Sequence, residues 1–434
     1  MKVSETFELS APAMIAAPTQ WFNILHHLPE PLPEVRDPED GKASRIETMQ
    51  RIRLKMTEDH DNAAGPWVPI PKPVLTQYQA IGRPTPLYRA RGLEKYLGTP
   101  ARLYFKREDR LPTGSFKLNS AIAQAYYASQ EGVTGLITET GAGQWGHALA
   151  YACSIYGLKS VVFWVKVSQE QKGYRSALAQ MLGATIHPSP STLTLSGQTV
   201  LANDPASPGS LGTAIGDAIE YAMAHPDYRY VSGSNLPHVL LHQTVIGLET
   251  KAQLAALDET PTRLIACAGG GSNLGGLMGP FLPEKYARGD DLRLIAAESD
   301  AAPRLTCGEY RYDHSDPAGL TPLTLSYTLG MDYMPPASHV GGLRQHSGSA
   351  VIGVLRRRQL LEAYAYSQVE ALQAGRLMVE TERILPAPES CHAVQAVIDA
   401  ALEAKRSRRS EVIVSCLSGD GAFDLNGYKA ILGV

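Results

Sequence analysis

Residues 113 to 119 read Thr-Gly-Ser-Phe-Lys-Leu-Asn, and 22 residues after Lys117 the chain reads Glu139-Thr-Gly-Ala-Gly-Gln-Trp-Gly146. A lone lysine that small residues can expose, followed by a glycine-rich loop opened by a carboxylate, suits Schiff-base chemistry. Further on, the apolar run Leu264-Ile-Ala-Cys-Ala268 feeds directly into Gly269-Gly-Gly-Ser-Asn273. A strand ending in three glycines leaves several backbone N–H groups free to converge on a phosphate. A lysine together with a phosphate cup points to pyridoxal phosphate.

These residues need a frame that places them at strand ends. From about Arg83 apolar runs alternate with helical periods. Ala101 to Lys106 precedes a helix from about Phe116 to Gln130, Gly135 to Glu139 one from Trp145 to Tyr156, and Ser160 to Val167 one from Glu170 to Leu182. Three strand and helix units in succession imply a parallel, doubly wound α/β sheet. A second α/β set begins at Tyr230, with Leu264 to Ala268, Leu292 to Ala297 and Val412 to Leu417 as buried strands. The first eighty residues are proline-rich and read as an arm packed over the core. The division expected is an arm over 1–82, an α/β domain with the lysine over 83–229, and a second α/β domain with the phosphate cup over 230–434. Ligands in such sheets bind at strand carboxyl ends, where Glu139, Gly269 and Ser418 fall.

At 434 residues with formal net charge −3, the chain suits two ordinary domains and offers no extended basic surface, so neither nucleic acid nor membrane is an expected partner. Its five cysteines lie far apart, without metal-ligand or disulfide-framework spacing, so no metal site is expected. The N-terminus carries Glu5 and Glu8, and its apolar stretch Ala11 to Pro18 is interrupted by prolines, unlike a signal peptide. A cytoplasmic location is expected.

The motifs together resemble the tryptophan synthase β chain family, in its long-chain second type, within the fold-type II pyridoxal-phosphate enzymes. The resemblance rests on Arg83-Pro-Thr-Pro-Leu-Tyr-Arg89, Gly114-Ser-Phe-Lys117, Glu139 to Gly146, Lys166 to Arg175, Pro205 to Leu211, His238 to Glu249, Gly269 to Asn273, Gly308 to Tyr312 and Leu417-Ser-Gly419, in family order. Trp145 stands where the long type also has tryptophan. The resemblance implies two doubly wound three-layer domains with the active site between them. It also implies a β-replacement in which L-serine and indole give L-tryptophan and water through an aminoacrylate, by a homodimer with no stable α subunit.

It further implies roles for single residues. Lys117 would hold the cofactor and move the α-proton, and Glu139 would be the acid-base carboxylate. Thr140, Gly141, Ala142, Gly143 and Gln144 would receive the substrate carboxylate on backbone amides. Gly269, Gly270, Gly271, Ser272 and Asn273 would form the phosphate cup. Ser418 would face the pyridine nitrogen, with Glu389 supporting the ring's electronic state. Asn119, two residues after the lysine, either orients the cofactor or is a polar residue facing along its helix. His242 and Gln243 read as satisfied helix and interface residues.

The chain also departs from the family. Phe116 replaces the histidine that contacts the phosphate, and a phenyl ring cannot donate to it, so weaker cofactor binding or a shifted ring is expected. Glu298-Ser299 stands in place of Glu-Pro, and Arg344-Gln-His-Ser347 in place of Arg-Tyr-His-Gly. These changes leave open a specialised relative acting on a modified indole, another nucleophile or a serine analogue. A serine or threonine dehydratase and a catalytically silent binding protein also remain open.

Overall fold

The computed structural model describes residues 15–434, so the expectations resting on Glu5, Glu8 and the start of the apolar stretch lie outside the described residues. The arm contributes β1 (Gln20–Phe22) and β2 (Trp67–Pro69), paired antiparallel. Then follow β3 (Leu87–Arg89), β4 (Arg102–Arg107), β5 (Gly135–Thr140), β6 (Lys159–Val165), β7 (Ala184–Ser189), β8 (Tyr228–Tyr230), β9 (Arg263–Cys267) and β10 (Arg293–Ser299). An antiparallel ribbon, β11 (Glu309–Asp313) with β12 (Thr324–Thr328), precedes β13 (Glu362–Tyr366) and β14 (Val412–Leu417).

Two sheets position the site. The smaller has the order β7-β6-β5-β8 and is parallel throughout. The larger has the order β13-β10-β9-β14-β4-β3, parallel except for β3 at its edge. Alternation along the central strands shows why both faces must be covered. Leu264 and Ala266 of β9 with Val414 and Cys416 of β14 join one core, while Ile265 and Cys267 with Ile413 and Leu417 join the other. Successive side chains point to opposite faces, so apolar residues at every position require helices on both sides. The helix Pro388–Ser407 covers one face of β9, β10 and β14.

This pairing corrects the expected sheet membership. The run Ala101 to Lys106 was expected to open the first sheet, but β4 lies in the larger sheet beside β14. Tyr230, expected to begin the second set, ends β8 beside β5 in the smaller sheet. Sequence order suggested that β4 would pair with β5, whereas beside β3 it finds its second partner 310 residues away, at Val412↔Arg102.

A buried charge network ties β4 to the helix Val245–Ala256 and to the first turn of the lysine helix. Arg83 donates to Glu108 at 2.8 Å, to the Asn119 side-chain oxygen at 2.8 Å and to Glu249 at 3.0 Å. Lys106, on β4, donates to Glu249 at 2.7 Å, to Gln253 at 2.9 Å and to the Thr85 carbonyl at 2.6 Å. Two cations face two carboxylates with nearly every lone pair occupied, the condition under which buried charge is tolerated. Burial alone would raise the Glu108 carboxyl, but the Arg83 and Lys106 charges hold it below its ordinary value. Burial pushes the Lys106 ammonium down, with Glu249 opposing.

Removing Arg83 leaves Glu108 without an ion-pair partner and Glu249 with Lys106 alone. Arg83→Met should lower the unfolding free energy by about 3–5 kcal/mol, measured by urea denaturation with the cofactor absent. A loss within the roughly 0.5 kcal/mol typical of surface substitutions would sink the structural role given to this network.

Candidate active site

Lys117 is held at the mouth of the larger sheet by a backbone stitch. Gly114 turns the chain with φ +61°, Phe116 N–H donates to the Ser418 carbonyl at 3.1 Å, and Asp420 N–H donates to the Gly114 carbonyl at 2.9 Å. The loop after β14 is thereby tied to the lysine loop, and the helix Leu118–Glu131 starts at the next residue. Lys117 Nζ donates to the Gly233 carbonyl at 2.8 Å. Burial pushes its pKa down to about 8, against the pull of Cys267, Glu139 and Glu389.

Two adjoining pockets share this lysine. One is lined by Phe116, Lys117, Gln144, Cys267, Gly269 through Asn273, Gly342, Leu343, Glu389 and Ser418. The other is lined by Lys117, Glu139, Thr140, Gly141, Ala142, Gln144, Trp145, Leu211, Gly233, Ser234, Gly270, Gly341, Gly342 and Gln345. Glycine is required at the cup. A Cβ on Gly270 would stand 2.6 Å from the Ser234 Cβ, and Gly271 has φ +116° with Ile352 Cγ1 at 2.8 Å from its would-be Cβ.

A polar chain lies beneath the cup. Ser390 Oγ accepts from Gly419 N–H at 3.0 Å and lies 2.8 Å from Ser418 Oγ, which is 3.4 Å from Cys267 Sγ. Asn273 donates to that sulfur at 3.4 Å, and its own side-chain oxygen is buried without a partner. Glu389 accepts from Gly342 N–H at 2.9 Å and from Gln144 Nε2 at 3.2 Å.

Glu139 sits one residue from the end of β5, 3% exposed, with one carboxylate oxygen unpartnered. Burial raises its pKa to about 7, although the Tyr230 hydroxyl bonds to it and Lys117 and Arg53 attract it. A neutral carboxyl near pH 7 can donate a proton, and its carboxylate can take one back. The loop after Glu139 opens the helix Gln144–Tyr156, whose first amides have no intrahelical partner. Gly143 is at φ +84°, where a Cβ would enter the Trp164 ring.

The structure therefore gathers most of the expected residues, with two exceptions. Asn119 lines neither pocket, because its side chain is bonded to Arg83, Glu108 and Gln243 in the charge network. Gly143 shapes the loop from behind instead of lining it. His242 is 3.0 Å from both His60 and Ser120, and Gln243 accepts from Asn119 at 3.0 Å. Sequence reasoning missed Cys267, Ser390, Tyr230 and the Gly341-Gly342 wall. Only Cys267 carried a signal, since it ends the strand that feeds the cup.

Comparison with known proteins places the chain. Residues 78–419 match the family described as pyridoxal-phosphate dependent enzyme. The chain is 48% identical to tryptophan synthase beta chain 2 of Methanothermobacter thermautotrophicus, over 95% of each chain. It is also 48% identical to tryptophan synthase beta chain 2 of Thermotoga maritima, covering 95% of this chain and 97% of that one.

The chain belongs to the tryptophan synthase β chain family of pyridoxal-phosphate dependent enzymes.

The fold is shared more widely. A fungal L-serine ammonia-lyase from Rhizomucor miehei superposes with TM-score 0.59 at 18% identity, covering 80% of this chain and 97% of that one. The processed form of threonine deaminase isoform 2 from Solanum lycopersicum gives 0.60 at 18% identity, covering 94% of this chain and all of that one. Among the described residues no helix is long and apolar enough to cross a membrane, and no cluster of side chains could hold a metal ion.

The raised Glu139 pKa has a thermodynamic consequence. A carboxyl whose folded pKa exceeds its unfolded one adds stability below the unfolded value near 4.5, and this is lost as pH rises through the folded value of about 7. Relative to Glu139→Gln, the cofactor-free protein should lose up to about 3 kcal/mol between those limits, measured as Tm or denaturant midpoint against pH. A difference independent of pH would contradict the buried, neutral carboxyl.

Proposed function

We propose that the protein joins L-serine to indole, giving L-tryptophan and water, with pyridoxal phosphate held in the two-part pocket around Lys117. The observation that carries this reading is Glu139, a carboxyl with pKa about 7 in the same pocket as a lysine with pKa about 8. The glycine cup, the unpartnered Asn273 oxygen and the lysine beside them suit the cofactor. Gly269, Gly270, Gly271, Ser272 and Asn273 would hold its phosphate, Lys117 its aldehyde carbon, and Ser418, Glu389 and the nearby Cys267 its ring. When bound, the cofactor supplies an electron sink for charge developing on the substrate α-carbon.

The remaining work falls to the chain. Thr140 through Gln144 bind the serine carboxylate on backbone amides at a helix start. Lys117 would take the substrate α-proton and later return it. Glu139 gives its proton to the departing β-hydroxyl, and the resulting carboxylate stabilises charge on indole as its C3 attacks the β-carbon. The Tyr230 hydroxyl interacts with the Glu139 carboxylate. Trp145 is fixed by its Nε1–H donating to Thr138 Oγ1 at 2.6 Å, and its ring walls the pocket against water.

Phe116 lies in the cofactor pocket, with Lys117 Nζ 5.1 Å from its ring centre, and it offers no hydrogen bond to a phosphate. The reading also includes a cytoplasmic homodimer working without a stable α subunit, as resemblance to the long second type implies. Sedimentation of the loaded protein, alone and with an α subunit, tests that assembly.

Lys117→Ala should abolish the cofactor's visible absorbance shift on binding and lower tryptophan formation by at least about 10³-fold. Glu139→Gln should keep the absorbance and lower kcat by about 10²- to 10⁴-fold. Tryptophan formation by Lys117→Ala at the wild-type rate would overturn the assignment. Phe116→His should tighten cofactor binding about tenfold, read by absorbance titration of the cofactor-free protein. Unchanged affinity would show that position 116 does not limit phosphate binding.

A further inference from the structure

The segment Arg344-Gln-His-Ser347 brings one side chain into the substrate pocket. Arg344 donates to the Pro335 carbonyl at 2.9 Å, and His346 Nε2 lies 2.9 Å from the His314 carbonyl, so both are engaged with backbone. Gln345 between them lines the same pocket as Lys117 and Glu139. It is 3% exposed, and its Nε2 has no hydrogen-bond partner. Its Oε1 lies against Gly270, 3.0 Å from where a Cβ on that glycine would stand.

A buried amide without a partner costs affinity unless a ligand completes it. The other walls that a nucleophile would meet include the Trp145 ring, Leu211 and Glu139, with Ser234 and Gln345 both against Gly270. Such a pocket suits a flat aromatic ring carrying a hydrogen-bonding group that reaches the Gln345 amide. An amide can be turned end for end with little change in shape, so its partner should serve as either donor or acceptor, and a hydroxyl does both.

We propose that Gln345 is a specificity-determining residue and that the preferred nucleophile is an indole carrying a hydroxyl on its benzo ring. This rests on the β-replacement proposed above and names the substrate class of the same pocket. The chemistry balances as before. The indole C3–Cβ bond forms, the serine Cβ–O bond breaks, and hydroxide leaves as water with the proton from Glu139. The C3 proton passes to the Glu139 carboxylate as the indole ring regains aromaticity, which restores the carboxyl, and the product is a hydroxylated tryptophan. Plain indole offers no acceptor to the unpaired Gln345 Nε2–H, whereas a site built to bond a hydroxyl discriminates against the analogue lacking it.

The test uses the cofactor-loaded protein with L-serine and, in parallel, indole or each benzo-ring hydroxyindole isomer. At least one isomer should show kcat/KM about tenfold or more above indole. Gln345→Leu, or Gln345→Met should the first variant fold poorly, should reverse that order. Preference for indole over every isomer in the wild type overturns the proposal. So does a hydroxyindole preference that survives both substitutions.

Calorimetric binding of indole and of the hydroxyindoles to the loaded protein separates this proposal from the reaction itself. If no nucleophile is turned over but a hydroxyindole binds more tightly through Gln345, the reaction assignment fails and the role of Gln345 stands. If indole binds as tightly as every isomer, the role of Gln345 fails.

Discussion

Arg83, Lys106, Glu108 and Glu249 lie together in the interior with Asn119, and the remaining architecture of the site depends on their mutual neutralisation. Each of these groups belongs to a different part of the frame. Arg83 precedes the edge strand, Lys106 is on β4, Glu108 follows β4, Glu249 is on the helix Val245–Ala256, and Asn119 is in the first turn of the Lys117 helix. No apolar contact would set their relative positions so narrowly, because a charge displaced by a few ångströms is left unpaired in a medium of low dielectric. The network therefore acts as a registration device that fixes where the lysine helix begins relative to the larger sheet. The stitch between Gly114, Phe116 and the loop after β14 then sets Lys117 beside Ser418.

Burial supplies the chemistry as well as the frame. The same desolvation that raises the Glu139 carboxyl to about 7 lowers the Lys117 ammonium to about 8. Two groups that in water differ by roughly six pKa values are brought to within about one of each other, so protons can move between substrate and either group near neutral pH. The histidine cluster responds to burial in a different way. Burial and His238 push His60 down to about 4, and His242 is lowered well below its usual value, so that pair serves as neutral packing.

Much of this was legible in the residues. The lysine with its small neighbours, the carboxylate opening a glycine loop and the triple glycine after a buried strand each announce a local geometry, and each is found where its own segment places it. The departures at Phe116 and Gln345 were visible too, and both side chains do line the pockets. Asn119 shows the limit. Two residues from the lysine on a helix, it had the spacing of a cofactor ligand, but only the arrival of Arg83 and Gln243 from elsewhere determined what its amide would bind.

Motif identity, strand periodicity and the turn positions that only glycine can occupy are local properties, and the sequence by itself determined them. Sheet membership was decided by tertiary structure, because β4, flanked by β3, takes as its other partner a strand some 300 residues away and not β5, the next strand in sequence. The partners of Ser418, the raised pKa of Glu139 and the unpaired amide of Gln345 were decided there as well. Hydrogen bonding and desolvation depend on which distant groups arrive and which do not, and a linear spacing carries no record of either.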